Sequence, residues 1–340
     1  MKIGVLAQSG GKECAELVSS IEKISGCACP VFDMSGSPEA TVQLDQAGVV
    51  WNGFRLDEFD KLVILGFDYQ DPLIPRAVVS ADWSIWQIDH VVDQQYYSFI
   101  SSVLRDLERR GVSMVNTWNS LKYNFSKALL LSRLQESGFL LPQWLCSNEM
   151  SVVEKFCTDE KQVIWRPNNG RAAWQLFLDK QRLYCVDPTK PPVLVASHPG
   201  FQLQRAFVCG TEVLMALHCS APYAADFEYM EQVWCCDSTA VGGELVAAVA
   251  SIGATWAQVL YTEIDGRPCI YDIDTDPKYG WLPLEFRNYL NHRLAEQFLE
   301  MPVTTAVPLS GVARAERDSL FVRRMLVTLH ELEANKYATS

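Results

Sequence analysis

Blocks of apolar and polar positions alternate along the first third of the chain. Ile3–Ala7 is a continuous apolar run, as in a buried strand. From Lys12 to Ser25 the apolar residues Cys14, Leu17, Val18, Ile21 and Ile24 recur at helical spacing, and Gly26 ends the run. Val31–Phe32 and Gly48–Trp51 read as short strands. "DKLVILGFD" (Asp60–Asp68) has the apolar centre expected of a parallel sheet. A helix is predicted over Val92–Arg110, then a strand over Val112–Val115. This alternation predicts an α/β domain over residues 1–116. Ser9-Gly10-Gly11 lacks the spaced glycines of a dinucleotide fingerprint and reads as a plain strand-to-helix turn.

Further on, Phe125, Leu129, Leu130 and Leu134 share one side of a helix that Gly138 closes. A strand is expected after Leu141-Pro142, and a short helix at Val152–Cys157. Gln162–Pro167, the turn "NNGRAAW" and the return "WQLFLD" read as a hairpin. Asp187–Pro199 carries several prolines and reads as a loop. Strands follow at Phe201–Val208 and Glu212–Cys219, then a helix at Gly243–Thr255 and a hairpin over Ala257–Asp274 turning at Asp265-Gly266. Phe286–Leu299 reads as a helix. The tail Val312–Lys336 reads as an amphipathic docking helix, apolar at Leu320, Met325, Leu326, Leu329 and Leu332.

The last hairpin ends in "YDIDTDP" (Tyr271–Pro277), where Asp272, Asp274 and Asp276 crowd one strand end. Repulsion and desolvation disfavour three such charges unless a cation joins them or the segment is a solvated turn. Carboxylates two apart on a strand face one side, so Asp272 and Asp274 can share one hard cation.

Composition narrows the function classes. Half the residues are apolar (49%), enough for a substantial core in 340 residues, yet no run spans a bilayer. The start has too short an apolar stretch for a signal peptide, so the cytoplasm is expected and a membrane is not. A net charge of −12 argues against a nucleic-acid surface. The eleven cysteines are scattered without metal spacing and read as reduced, mostly buried thiols. Whether the chain forms a homo-oligomer is left open.

Four stretches, in order, resemble the RimK-type ATP-grasp ligases, including their microviridin-type peptide-modifying members. Val115–Leu145 is similar to the segment that opens the central ATP-grasp domain, with Ser126-Lys127 at its helix start. "VIWRP" (Val163–Pro167) resembles the strand bearing a second phosphate-facing lysine, here Arg166. "LQRAFVCGTEVL" (Leu203–Leu214) resembles the adenine hinge, with Glu212 as the ribose acid. "IYDIDTDPKYGWLPLEF" (Ile270–Phe286) resembles the metal-binding end strand. The likeness spans about residues 110–300.

The resemblance implies an α/β ATP-grasp architecture. An N-terminal domain (1–116) would precede central (117–200) and C-terminal (201–300) subdomains that sandwich the nucleotide, with an extension over 301–340. It implies ATP and Mg2+ as cofactors. The nucleotide would be held by Lys127, Arg166, Gly170, Arg171, Gln204, Arg205, Ala206, Phe207 and Glu212, and the metal by Asp272 and Asp274. The implied reaction is ADP-forming ligation of a carboxylate to an amine through an acylphosphate, with a peptide or small molecule as substrate.

Departures from the pattern keep a non-catalytic nucleotide- or peptide-binding module open, with a small-molecule kinase as a third reading. Leu260 stands twelve residues before Asp272, where the family has a further metal-binding Asp. Leu214 replaces an Arg, and the glycine-rich flap shrinks to Asn168-Asn169-Gly170-Arg171.

Overall fold

The structure is a computed structural model that describes residues 1–7, 12–34, 40–67, 83–160, 162–168, 174–176, 191–198, 203–220, 232–303 and 312–314. Chain order runs β1 (Ile3–Ala7), α1 (Lys12–Ser25), β2 (Val31–Asp33), β3 (Val42–Asp45), β4 (Gly48–Trp51), β5 (Phe54–Arg55), β6 (Lys61–Leu65), α2 (Trp83–Arg109) and β7 (Ser113–Val115). Next come α3 (Trp118–Leu121), α4 (Lys127–Glu136), β8 (Trp144–Ser147), α5 (Met150–Asp159), β9 (Val163–Pro167), β10 (Gln175–Leu176) and β11 (Val193–Ser197). The remainder is β12 (Gln204–Cys209), β13 (Glu212–Ser220), β14 (Gln232–Cys235), α6 (Gly242–Ser251), β15 (Trp256–Ile264), β16 (Arg267–Asp274), α7 (Leu284–Phe298) and β17 (Val312–Arg314).

The first sheet has order β2-β1-β6-β7 and is parallel throughout, which is why Ile3–Ala7 and Leu62–Leu65 read as unbroken apolar runs. A small antiparallel sheet, β3-β4-β5, sits beside it. The second four-stranded sheet has order β10-β9-β11-β8 and is antiparallel. The largest has order β16-β15-β12-β13-β14-β17 and is also antiparallel.

Alternation along the large sheet sends its residues to two cores. Ala206, Val208, Ala216, Val259 and Ile273 pack against Leu245, Ala248 and Val249 of α6 and Leu130 and Leu134 of α4. Phe207, Cys209, Met215 and Trp256 face the other way, onto Leu290, Leu294 and Phe298 of α7 and Leu17 and Ile21 of α1. Phe207 and Trp256 stack with centroids 5.9 Å apart. This second core continues into Val5 and Val63, so the large sheet and the first sheet share α1 and α7 as their common filling. Across that seam Glu16 accepts from Arg287 at 2.9 Å, and the amide of Gly280 donates to Glu13 at 2.7 Å.

Three sequence expectations change. Asp187–Pro199 is not loop throughout: Val193–Ser197 is the buried strand β11, paired with β8 and β9. Prolines at its borders hid it, because a proline next to a strand costs nothing that a proline inside one does. Val312–Arg314, expected to open a helix, pairs as a strand with β14, and the rest of that tail lies outside the described residues. The helix expected from Val92 starts at Trp83. Among the described residues no helix is long and apolar enough to cross a membrane.

Candidate functional site

Strand register assembles the site. Arg205, Leu260 and Asp272 are direct partners across β12, β15 and β16, and Phe207, Gln258 and Asp274 form the next row. Residues opposite one another, or two apart along a strand, share a face. One face of the large sheet therefore presents Arg205, Gln258, Asp272 and Asp274 together.

Two cations reach this face from other elements. Lys127, at the first turn of α4, places Nζ 2.8 Å from Asp272 Oδ1 and donates to the Ile273 carbonyl at 3.0 Å. Arg166, on β9 of the second sheet, donates from Nη1 to Asp272 Oδ2 at 2.6 Å. The Lys127 and Arg166 side chains are only 3% and 2% exposed, so water does little to screen the cluster. Burial by itself pushes the Asp272 carboxyl up, but Lys127 and Arg166 outweigh it and hold its pKa below the ordinary value. Burial lowers the Lys127 pKa, with Asp272 opposing and Arg166 assisting.

The backbone around Lys127 is fixed from the strand that carries Arg166. Asn168, just beyond β9, accepts from the Lys127 amide through its carbonyl (3.0 Å) and from the Ala128 amide through Oδ1 (2.8 Å). These satisfy two of the orphan amides at the start of α4. Arg166 also lies over Trp174, 5.6 Å from the ring centroid, and Arg205 over Trp281 at 5.3 Å.

The three clustered acids have three different surroundings. Asp272 balances two cations. Asp274 accepts the Asp276 amide at 2.9 Å. Asp276 is buried and accepts the Gly66 amide at 2.7 Å, so it ties the end of β16 to the first sheet. Thr275 between them is also buried, its amide donating to Asn124 Oδ1.

Lys127, Arg166, Arg205, Asp272 and Asp274 are thus brought together. Gln204, Ala206 and Phe207 lie within the large sheet, on β12. Strand β12 pairs along its whole length with β13 on one side and β15 on the other. Over Gln204–Cys209 its amides and carbonyls are committed to two ladders. Gln204 and Ala206 point to the opposite face from Arg205, where Gln204 donates to Glu263 at 3.2 Å. Glu212 sits at the β12–β13 turn, held by Arg293 (2.7 Å) and Gln297 (3.1 Å) of α7. Gly170 and Arg171 lie outside the described residues.

The sequence reading passed over Gln258, Asn124 and Asn168 as site residues. Gln258 had a signal: it is the one polar position in "WAQVLY" and sits two before Leu260. Asn124 and Asn168 act on their neighbours' backbones, which no side-chain motif records. Leu260 is 2% exposed and packs with Leu131, Ile164 and Trp174. Among the described residues no group of three His, Cys, Asp or Glu could hold a metal.

No family model matches the sequence. Nor does any curated protein. Solved structures do match. The ATP-grasp ligase PsnB, complexed with a phosphomimetic variant of its minimal precursor, Mg and ADP, aligns at 18% identity and TM-score 0.72, covering 88% of this chain and 97% of that one. The macrocyclase MdnC from Microcystis aeruginosa MRC, bound with precursor peptide MdnA, aligns at 14% identity and TM-score 0.65, covering 88% and 100%. A RimK-domain ATP-grasp protein from Sphaerobacter thermophilus DSM 20745 aligns at 14% identity and TM-score 0.56, covering 88% and 99%. The chain has the ATP-grasp fold that these solved structures share.

Proposed function

We propose that the chain is an ATP- and magnesium-dependent ligase that joins a carboxylate to an amine on a peptide substrate, through an acylphosphate. One observation carries this reading: Lys127 and Arg166, from two different elements, converge on Asp272 beside Asp274 and Arg205. Cations that converge from separate elements on a buried carboxylate, in a place shielded from water, match a polyphosphate. The neighbours support the substrate class, since PsnB and MdnC are bound to precursor peptides and PsnB also to Mg and ADP.

The donor set fits magnesium. Asp272 and Asp274 offer carboxylate oxygens on one face, and Gln258, opposite Asp274, adds an amide oxygen. Bound there, the ion would supply charge neutralisation between phosphates. Lys127 and Arg166 would give up Asp272 for phosphate oxygens, freeing its carboxylate for the cation. The substrate carboxylate oxygen attacks the γ-phosphorus and ADP leaves. The amine nitrogen then attacks the acyl carbon, inorganic phosphate leaves, and the nitrogen loses a proton. The protein's share is positioning and charge neutralisation.

The phosphate assignment is tested by Lys127→Met and Arg166→Gln. Each should weaken ATP binding by about 1–3 kcal/mol, the range for hydrogen bonds to charged groups. Adenosine affinity should hardly change in calorimetry. Equal weakening of both ligands would make these cations structural.

Leu260 favours a second reading, binding without turnover. It is the direct partner of Asp272, so an aspartate there would stand beside the two carboxylates present. Leu260→Asp is expected to raise ADP production while leaving ATP affinity nearly unchanged, because a second cation acts mainly on the charge that develops in the reaction. Tight ATP binding with no ADP formed by either protein, whatever carboxylate, amine or peptide is offered, would favour the binding module. Phosphate found on a hydroxyl would favour a kinase.

A further inference from the structure

The start of α4 carries Lys127 but does not cap itself. Ser126 stands in the capping position, yet its hydroxyl makes no capping bond. A serine there ordinarily accepts from an amide two or three positions on. The amide concerned, that of Ala128, is taken instead by Asn168 Oδ1 at 2.8 Å, from 40 positions further along the chain. The Asn168 carbonyl takes the Lys127 amide as well, at 3.0 Å. One residue outside the helix thus supplies its cap, with main chain and side chain together.

The place of that residue gives the clamp a second effect. Asn168 follows β9 directly and stands two positions after Arg166. Helix α4 itself packs on the large sheet through Leu130 and Leu134. The clamp therefore joins a helix seated on the large sheet to a strand of the second sheet, where the two cations meet. Lys127 is gripped at both ends. Its Nζ lies 2.8 Å from Asp272 Oδ1 and donates to the Ile273 carbonyl at 3.0 Å, while Asn168 holds its amide. Arg166 has a support of its own, since its guanidinium lies over Trp174, 5.6 Å from the ring centroid. When a phosphate draws Nζ away from Asp272, the amide end is the hold that remains, and it sets how far the ammonium stands from Arg166. Charged hydrogen bonds are sensitive to that spacing, because they form over a narrow range of about 2.7–2.9 Å. A cap that only stabilised the helix could sit on Ser126. Placed on Asn168, it also fixes one cation against the other.

We infer that Asn168 is a positioning residue for the nucleotide phosphates: by capping α4 from the end of β9, it sets Lys127 against Arg166 so that both reach one polyphosphate. This rests on the reading of these two cations as phosphate ligands. Asn168 acts through Lys127 and not on the phosphate itself.

A double-mutant cycle on the full chain tests this, with ATP and adenosine as probes in calorimetry at one magnesium concentration. Asn168→Ala removes Oδ1 and leaves the main-chain bond. It should weaken ATP binding about fivefold, within the range for loss of a helix cap, and leave adenosine binding nearly unchanged. In the Lys127→Met background the same substitution should cost less than about twofold, because no ammonium is left to place. A purely structural cap would cost the same in both backgrounds, and that result overturns the inference. So does an equal loss for adenosine, or wild-type ATP affinity in Asn168→Ala beside a weakened Lys127→Met. Unchanged ATP affinity in Lys127→Met would instead strike the phosphate reading, and the inference falls with it. If Asn168→Ala does not fold, hydrogen exchange on the unmodified chain decides. The amides of Lys127 and Ala128 should exchange no faster with ATP bound than without it. Faster exchange at these amides with ATP would show that the clamp opens on binding, and overturns the inference.

Discussion

Asp272→Ala is expected to destabilise the unliganded protein by about 3–5 kcal/mol, the range found when one partner of a buried ion pair is removed. The reason is the company Asp272 keeps. Its two oxygens face Lys127 Nζ at 2.8 Å and Arg166 Nη1 at 2.6 Å. Alanine would leave two buried cations facing each other across α4 and β9 with no anion between them. Their repulsion would act on the joint between the second sheet and the large one. The effect should read as a lower urea midpoint. ATP added without magnesium should restore part of the loss, since phosphates bring the missing negative charge and ligand binding stabilises the folded state by mass action. A loss below about 1 kcal/mol would mean that the cations are satisfied elsewhere, contrary to the tight cluster described here.

Asn116→Ala should cost about 3 kcal/mol, although Asn116 touches no proposed ligand. Asn116 is 1% exposed and stitches the end of β7 to the large sheet. Its Oδ1 accepts from the amides of Thr255 (2.7 Å) and Trp256 (2.9 Å), and its Nδ2 donates to the carbonyls of Trp256 and Thr275. Alanine strands two buried donors and two acceptors, each worth roughly 1–3 kcal/mol when unsatisfied, with partial relief by relaxation. Asn116→Asp keeps both acceptor contacts and loses the donors, so its denaturant midpoint should fall between the wild type and alanine variants. Equal midpoints for all three would show that the contacts contribute nothing.

Much of the fold was legible because its strands carry strong one-dimensional patterns. The unbroken apolar run at Leu62–Leu65 announces a parallel strand, and the alternation before Asp272 and Asp274 announces an antiparallel one. The spacing of these two acids also places them correctly on one face. What the pattern cannot show is how many neighbours a strand has. Gln204–Cys209 reads the same whether it lies at an edge or in the middle, where the structure puts it. The sequence also cannot tell a metal-facing acid from a structural one. Asp276 continues the two-residue rhythm of Asp272 and Asp274, yet β16 has ended by then and its carboxylate turns to Gly66. Val193–Ser197 stayed hidden for a different reason, since flanking prolines mask a strand without preventing it.

The central claim is that the end of β16 is the phosphate and magnesium end of a nucleotide site. Calorimetric ATP binding, with and without magnesium, tests it most directly in Asp274→Asn. Asparagine keeps an oxygen to accept the Asp276 amide, so the strand end is preserved while one metal-ligand charge is removed. The wild-type protein should bind ATP about tenfold or more tightly with magnesium than without, a difference of about 1.4 kcal/mol. In Asp274→Asn that increment should largely vanish, with magnesium-free affinity nearly unchanged. An increment of the same size in both proteins would contradict the assignment of Asp274 to the metal.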